Sequence, residues 1–413
     1  MDVITYSSFN YSLSKNINII MGGTNSIMSK YDDFNYSIKE MLDLVQNVFK
    51  SKEDLSSMDT NDIYEELKKQ IEEESKTKIS VAFFGQPGAG KSSLMNKLAG
   101  EKLADAGIKP GMKVTKHVWG ENDSIEFVDL PGFDGVPDEH VRDEYWENYD
   151  CESIDLFLCC FESKFNQADA EFFKRVMSEN KGHIFVRTKA DSIFDENMSL
   201  DELKKEIVTE QVTPLFGEKV KVIFTSIRTN EGLDELQNEI IQLLDETKQG
   251  KWFRNAKAFS KEFLESKKKA CKVKTIRSAI LSAGSGAIPI PVVGVPLDIN
   301  IYNDLLKDIR ISYGLTDSRL EQLYEKHQAD QKFKDNIKQL IDYAGKGGSI
   351  LLLKRYSNHV IIKQIAKSLP IILGSSSGFA LTYFSGMKFV DENHEIAEQI
   401  LKDEIPLKKN VYA

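Results

Sequence analysis

One segment constrains the fold of this chain more than any other. Gly85-Gln86-Pro87-Gly88-Ala89-Gly90-Lys91-Ser92 satisfies the pattern GxxxxGK[ST] without a mismatch. An apolar run at 79–84 precedes it, and the helix-like stretch Ser93-Leu94-Met95-Asn96-Lys97-Leu98 follows. A strand that ends in such a loop and opens a helix turns backbone N–H groups toward phosphate oxygens at the positive end of the helix. Gly85, Gly88, Ala89, Gly90, Lys91, Ser92 and Ser93 are therefore the expected phosphate ligands. Lys91 is placed to reach the β- and γ-phosphates, and the Ser92 hydroxyl to hold Mg2+.

Three further segments follow in the order a guanine-nucleotide switch requires. Ile125-Glu126-Phe127-Val128 reads as a strand ending in Asp129-Leu130-Pro131-Gly132. Asp129 is expected to hold Mg2+ through water, and the Gly132 N–H to sense the γ-phosphate. His183-Ile184-Phe185-Val186-Arg187 reads as another strand, ending in Thr188-Lys189-Ala190-Asp191, a Thr variant of NKxD. A carboxylate at Asp191 accepts from guanine N1–H and N2–H while the Lys189 stem covers the ring. Adenine lacks that donor pair, and a lost polar match of this kind discriminates by about 10⁴-fold. The run at 220–224 ends in Thr225-Ser226, whose backbone N–H groups are expected on guanine O6. Each motif alone is an ordinary strand-end turn. Four in sequence, all at carboxyl ends of strands, mark one nucleotide site.

The first switch belongs at 104–119, with Thr115 as the hydroxyl that closes over Mg2+. Phe133 follows Gly132 where small switches often carry a water-orienting Gln, and Pro87 stands where others place an Arg in cis. Slow intrinsic turnover is expected, with the missing group supplied from elsewhere in the chain or by a partner. The second switch, 133–150, is acidic and reads otherwise as a solvated helix face.

Length asks for a second domain: 413 residues is about twice what a minimal domain of this kind needs. The net charge of −10 argues against general nucleic-acid binding, so no nucleic-acid partner is expected. Four cysteines without paired spacing, two of them adjacent at Cys159 and Cys160, suit a buried strand in a reducing cytoplasm. The first twenty residues are polar and lack the apolar core of a secretory signal.

The expected fold is α/β: a P-loop GTPase domain with a mostly parallel six-stranded sheet, plus an all-α domain built from both ends of the chain. The boundaries read as a poorly ordered or mobile segment at 1–32, N-terminal helices at 33–76, the GTPase domain at 77–247, a basic linker helix at 248–275 and a C-terminal helical domain at 276–413. Between 251 and 274 there are nine basic and two acidic residues, with Trp252, Ala256, Phe259 and Phe263 at helical spacing. Such a helix either lies on an anionic membrane or packs its apolar stripe inward and leaves its lysines solvated. Two uncharged stretches, 278–297 and 368–387, are each about as long as a spanning helix. Their density of Pro and Gly favours apolar helical hairpins packed within the helical domain over spanning segments.

With these residues assembled, the chain resembles the immunity-related GTPases, relatives of the dynamin-like enzymes. The resemblance covers about residues 33–405. It rests on the Gly85–Ser92 loop, Asp129–Gly132, Thr188-Lys189-Ala190-Asp191, and the stretch Ala283-Gly284-Ser285-Gly286-Ala287-Ile288-Pro289-Ile290-Pro291 followed by Asp298 and Tyr313-Gly314-Leu315. It implies a GTP/GDP-binding, Mg2+-dependent GTPase domain flanked by helices that merge into one domain. It also implies low intrinsic hydrolysis, stimulated when GTPase domains pair as a homodimer or homo-oligomer, and action at intracellular membranes in cell-autonomous defence. Lys91 places the chain with members that carry Lys in the loop. Those members carry an acid two residues before the switch Thr, where this chain has Lys113, a cation able to act across a dimer. Met21-Gly22-Gly23-Thr24-Asn25-Ser26 has the form of a myristoylation signal, but internally. Two functions stay open on these grounds: a self-assembling hydrolase at membranes, or a GTP-gated binding module controlled by a partner.

Overall fold

The apolar run before the phosphate loop is the centre of a six-stranded sheet. In the computed structural model, which describes residues 60–105, 115–120, 124–132, 144–165, 167–282, 288–290, 295–326, 330–344, 347–357 and 376–404, the strands are β1 (Ile79–Phe84), β2 (Thr115–Trp119), β3 (Ile125–Asp129), β4 (Leu156–Phe161), β5 (Gly182–Arg187) and β6 (Val222–Phe224). Their spatial order is β2-β3-β1-β4-β5-β6. Every ladder is parallel except that of the edge strand β2, which runs antiparallel to β3.

Strands covered on both faces read as continuous apolar runs. β4, Leu-Phe-Leu-Cys-Cys-Phe, is buried at every position. Alternate side chains enter opposite layers. Ile79, Val81 and Phe83 join Leu94, Leu98, Leu236, Ile240 and Trp252 on one face. Ala82 and Phe84 join Tyr145, Trp146, Phe172, Phe173 and Val176 on the other. Four cysteines, all buried and none in a disulfide, include the adjacent pair in β4.

The chain divides into two compact units. The first holds the sheet and comprises the described parts of 76–267, 311–315 and 397 onward. The second comprises the described parts of 1–75, 268–310 and 316–396, and it is mainly helical. In the second unit the helix Thr60–Lys76 is tied to the later helix Lys261–Ser282 by Tyr64 Oη, which donates to the Leu281 carbonyl at 3.3 Å, and by Arg277, 2.7 Å from Glu74. Segments that precede and follow the sheet-bearing stretch thus both supply this unit. Of the N-terminal segments expected at 1–32 and 33–76, everything before residue 60, including Gly22, lies outside the described residues.

Two expectations are corrected. The basic segment expected as one helix at 248–275 forms two, Glu246–Asn255 and Lys261–Ser282. Trp252, Ala256 and Phe263 are core residues, and the cations are engaged as well. Within the sheet-bearing unit, the fully buried Lys267 donates to the carbonyls of Arg254 and Ser312, each at 2.7 Å. Within the helical unit, Lys268 lies 3.0 Å from Asp391 and Lys274 3.0 Å from Asp308. Of the two alternatives, the apolar stripe packs inward, but several of its lysines are engaged by protein rather than solvated.

The first uncharged stretch is not a helical hairpin. After Ser282 the described residues form a two-stranded antiparallel ribbon, Ile288–Ile290 with Val295–Leu297. Pro289 faces Pro296 in its middle pair. Paired residues in such ribbons alternate between hydrogen-bonded and non-bonded sites, so two prolines opposite each other occupy the site that requires no N–H. Of the second stretch, 368–375 lies outside the described residues, and the remainder opens the helix Ser376–Glu404. Among the described residues no helix is long and apolar enough to cross a membrane.

Candidate functional site

The phosphate loop takes its shape from its glycines. Gly85, at φ +146°, lies so close to β4 that a Cβ there would come within 1.9 Å of the Cys160 carbonyl oxygen. Gly88 and Gly90 adopt positive φ as well, at +87° and +79°. Ala89 N–H donates to the Gln86 carbonyl at 3.1 Å and closes the turn. Gly90 then starts the helix Lys91–Ala99, with no side chain capping its first N–H groups. Those donors, with Ser92 and half-buried Ser93 in the first turn, face outward as an anion cradle. Lys91 Nζ donates to the carbonyls of Gly85, at 2.8 Å, and Gln86, at 3.3 Å, so its charge sits over the loop.

β3 brings Asp129 beside this loop. Ser92 Oγ donates to Asp129 Oδ2 at 3.3 Å. Burial pushes the Asp129 carboxyl upward from its ordinary pKa, opposed by Lys91, the Ser92 hydroxyl and His117. Leu130 N–H donates to the Phe83 carbonyl at 3.0 Å, extending the ladder to the point where the chain turns. Gly132 then passes so near the loop that a Cβ would lie 2.8 Å from the Gly85 carbonyl oxygen. Thr115 opens β2 directly opposite Asp129 in the register, with its side chain exposed. Lys113 lies outside the described residues, as does 133–143 of the second switch.

The base loops stand at the ends of β5 and β6. Thr188 is buried; its hydroxyl donates to the Ala89 carbonyl at 2.7 Å, with the Phe161 carbonyl at 3.2 Å. Lys189 takes a left-handed conformation, φ +53°, and its ammonium pairs with Glu162. The Asp191 carboxyl is held below its ordinary pKa, chiefly by a hydrogen bond from the Ser226 side chain, with Arg228 adding to it at 3.5 Å. It is therefore an ionised acceptor at neutral pH.

The expected role of Thr225 and Ser226 is corrected. Thr225 N–H donates to the Arg187 carbonyl at 2.8 Å and Ser226 N–H to the Glu231 carbonyl at 3.0 Å, so neither is available to a base. The Ser226 hydroxyl instead accepts from the N–H groups of Arg228 and Thr229, each at 3.2 Å, and shapes the loop. The tail of the second switch is also no solvated face. Tyr145 and Trp146, on the short helix Tyr145–Asn148, are buried, and Tyr145 Oη donates to the Pro131 carbonyl at 2.7 Å. Aromatic residues in an acidic stretch were the available sequence signal for that anchor. A cavity of about 760 Å³ near the starts of β5 and β6, lined by His183, Phe216, Lys219, Lys221 and Glu239 among others, shares none of these loops.

A mostly parallel sheet whose carboxyl edge carries a glycine-shaped anion loop, a half-buried acid beside Ser92 and a carboxylate poised for a purine edge defines a P-loop GTPase. Most of the length fits a narrower description. Residues 44–404 match the sequence profile of the interferon-inducible GTPases (IIGP), and the chain belongs to that family. It is 21% identical to interferon-gamma-inducible GTPase 10 of Mus musculus over 366 residues, covering 81% of this chain and 84% of that protein. The probable GTP-binding protein EngB of Protochlamydia amoebophila is 31% identical over 180 residues, 41% of this chain and 84% of the relative. A solved probable GTP-binding protein engB is 22% identical, covers 40% of this chain and 97% of its own, and gives a TM-score of 0.30. The enzyme is accordingly a GTPase that binds guanine nucleotide.

Proposed function

We propose that GTP governs self-association of this enzyme, and that a second copy docking against the nucleotide face accelerates hydrolysis. One observation carries the proposal: apolar side chains stand exposed at the rim of the base loops. Phe194, three residues after Asp191, is 82% exposed, and Met198, Leu200 and Ile227 are exposed as well. The same rim carries both signs of charge, Asp195 and Glu196 beside Phe194 and an exposed Arg228 beside Ile227. A two-fold interface needs such self-complementarity, since each patch must meet its own copy. Lys113 and Thr115 belong to the first switch of that assembly, and contact with a membrane surface is peripheral.

Mg2+ fits the site. Ser92 Oγ and the Asp129 carboxylate, 3.3 Å apart, are the hard oxygen donors this cation takes, and Thr115 lies opposite Asp129 in the sheet register. When bound, the cation neutralises charge on the phosphates. Lys91 and the helix N-terminus hold the triphosphate, and Asp191 reads guanine N1–H and N2–H. The N–H of Ile227, next along the loop after Ser226, takes the O6 contact.

The test is specific activity against protein concentration. Turnover per molecule is expected to rise with concentration in wild type and to stay flat in Phe194→Asp, with GDP affinity unchanged. A flat profile in wild type overturns stimulation by a second copy. Sedimentation with anionic liposomes in the GDP and GTP-analogue states tests membrane contact, and no sedimentation in either state removes it.

A further inference from the structure

We propose that Tyr145 is a positioning residue for the Gly132 N–H: its hydroxyl fixes the Pro131–Gly132 peptide so that the amide faces the terminal phosphate. This rests on reading Gly132 as the γ-phosphate contact. The peptide unit is planar and trans, so the Pro131 carbonyl and the Gly132 N–H point in opposite directions. Tyr145 Oη donates to that carbonyl at 2.7 Å. Its ring is held edge-on to Phe84, the last residue of β1, with centroids 6.1 Å apart, and against Phe172 at 5.4 Å. The carbonyl is thereby drawn toward the aromatic layer, and the N–H is turned away from it.

On its other side the same glycine is pressed against the phosphate loop. A Cβ on Gly132 would meet the Gly85 carbonyl oxygen at 2.8 Å and Gln86 Cα at 3.4 Å. The Leu130 N–H bond to Phe83 fixes the chain two residues earlier. The peptide has one remaining freedom, rotation about its flanking bonds, and the tyrosine hydroxyl removes it. Burial pushes the phenol pKa far up, so it remains a donor across the working pH range.

The relation works in both directions. A terminal phosphate that engages the Gly132 N–H strengthens the carbonyl bond to Tyr145 and, through it, the helix Tyr145–Asn148. Loss of that phosphate leaves the carbonyl bond weaker and the helix held less firmly. The tail of the second switch thus reports the nucleotide state.

Tyr145→Phe keeps the ring and removes only the donor. With Mg2+ present, affinity for a non-hydrolysable GTP analogue is expected to fall about five- to tenfold, the worth of one hydrogen bond, while GDP affinity stays within about twofold. An unchanged analogue affinity, or equal losses for both nucleotides, overturns the proposal. Wild-type protein that binds neither nucleotide overturns instead the nucleotide reading on which it rests. Hydrogen exchange on wild type supplies a test that does not depend on how the variant folds. The Asn148 and Tyr149 amides, bonded to the carbonyls of Glu144 and Tyr145, are expected to exchange more slowly with the analogue than with GDP. Identical exchange in the two states overturns the coupling.

Discussion

Thr188 and Ala89, ninety-nine positions apart in the chain, are joined by a hydrogen bond from hydroxyl to carbonyl at 2.7 Å. The bond ties the loop that reads the base to the loop that cradles the phosphates. Thr188 is buried, and a Cβ on Gly90 would lie 3.7 Å from its hydroxyl, so this side chain bridges the two loops. The threonine in the Thr-Lys-Ala-Asp variant acts as a brace between subsites.

Thr188→Val preserves the shape and leaves the Ala89 carbonyl without that donor. The expected loss is about 1–2 kcal/mol, on the order of tenfold in Kd. Because the brace serves the whole cradle, GDP and GTP analogue should weaken together, in contrast to Tyr145→Phe. Isothermal titration of both nucleotides checks this, and a loss confined to one of them contradicts the bracing role.

Gly85 and Gly88 separate two reasons for glycine in one loop. At Gly85 a methyl group would overlap the Cys160 carbonyl oxygen at 1.9 Å, a backbone atom of a central strand. At Gly88 there is nothing within 4 Å, and only the positive φ disfavours a side chain. Gly85→Ala should abolish nucleotide binding and lower Tm, whereas Gly88→Ala should cost about 1–2 kcal/mol. Thermal melts with and without GDP distinguish them; equal effects would show that the close approach to β4 yields easily.

The sequence made the centre of the sheet legible because β1 and β4 are unbroken apolar runs with both faces covered. β2 was not legible. Thr-Lys-His-Val-Trp has no alternation to read, and all but its last residue are exposed or half-buried, so it is held chiefly by its ladder to β3. The phosphate loop and Asp129 could be placed from spacing alone, since their contacts are local or follow from strand order. The use of the Thr225 and Ser226 N–H groups could not, because their acceptors, Arg187 and Glu231, are fixed only by the fold. The basic segment misled for a similar reason. Lysines that read as a solvated face find carboxylates and carbonyls far away in sequence, as Lys268 finds Asp391.

In the helical unit, Gly386 marks a close helix approach. A Cβ there would meet Thr275 Cγ2 at 2.6 Å and Leu305 Cδ2 at 3.2 Å. Nearby, Ser282 Oγ donates to Thr382 Oγ1 at 2.9 Å in a buried setting. Gly386→Ala is expected to destabilise by about 1–3 kcal/mol through overpacking, read as a lower denaturant midpoint. Pairing it with Thr275→Ser, which removes the clashing methyl, should restore most of the loss. Failure of the double variant to recover would place the strain elsewhere.

Asp129 carries a cost that its function explains. Its folded-state pKa is raised, first by burial, so the folded chain binds a proton more tightly there than the unfolded chain does. Stability contributed by this group therefore falls as pH rises from the unfolded pKa through the folded one. The penalty is fully present above the folded value and absent below the unfolded value. Asp129→Asn removes the charge while keeping an acceptor for the Ser92 hydroxyl. In nucleotide-free protein it should raise Tm at neutral pH, with the gain shrinking as pH falls through the carboxylate range. The same variant should lose Mg2+-dependent GTP binding, because the carboxylate anion is what the cation requires. Melting curves across pH, with nucleotide affinity measured with and without Mg2+, test both halves. A Tm gain that persists undiminished in acid would show that the partly desolvated charge is not its source.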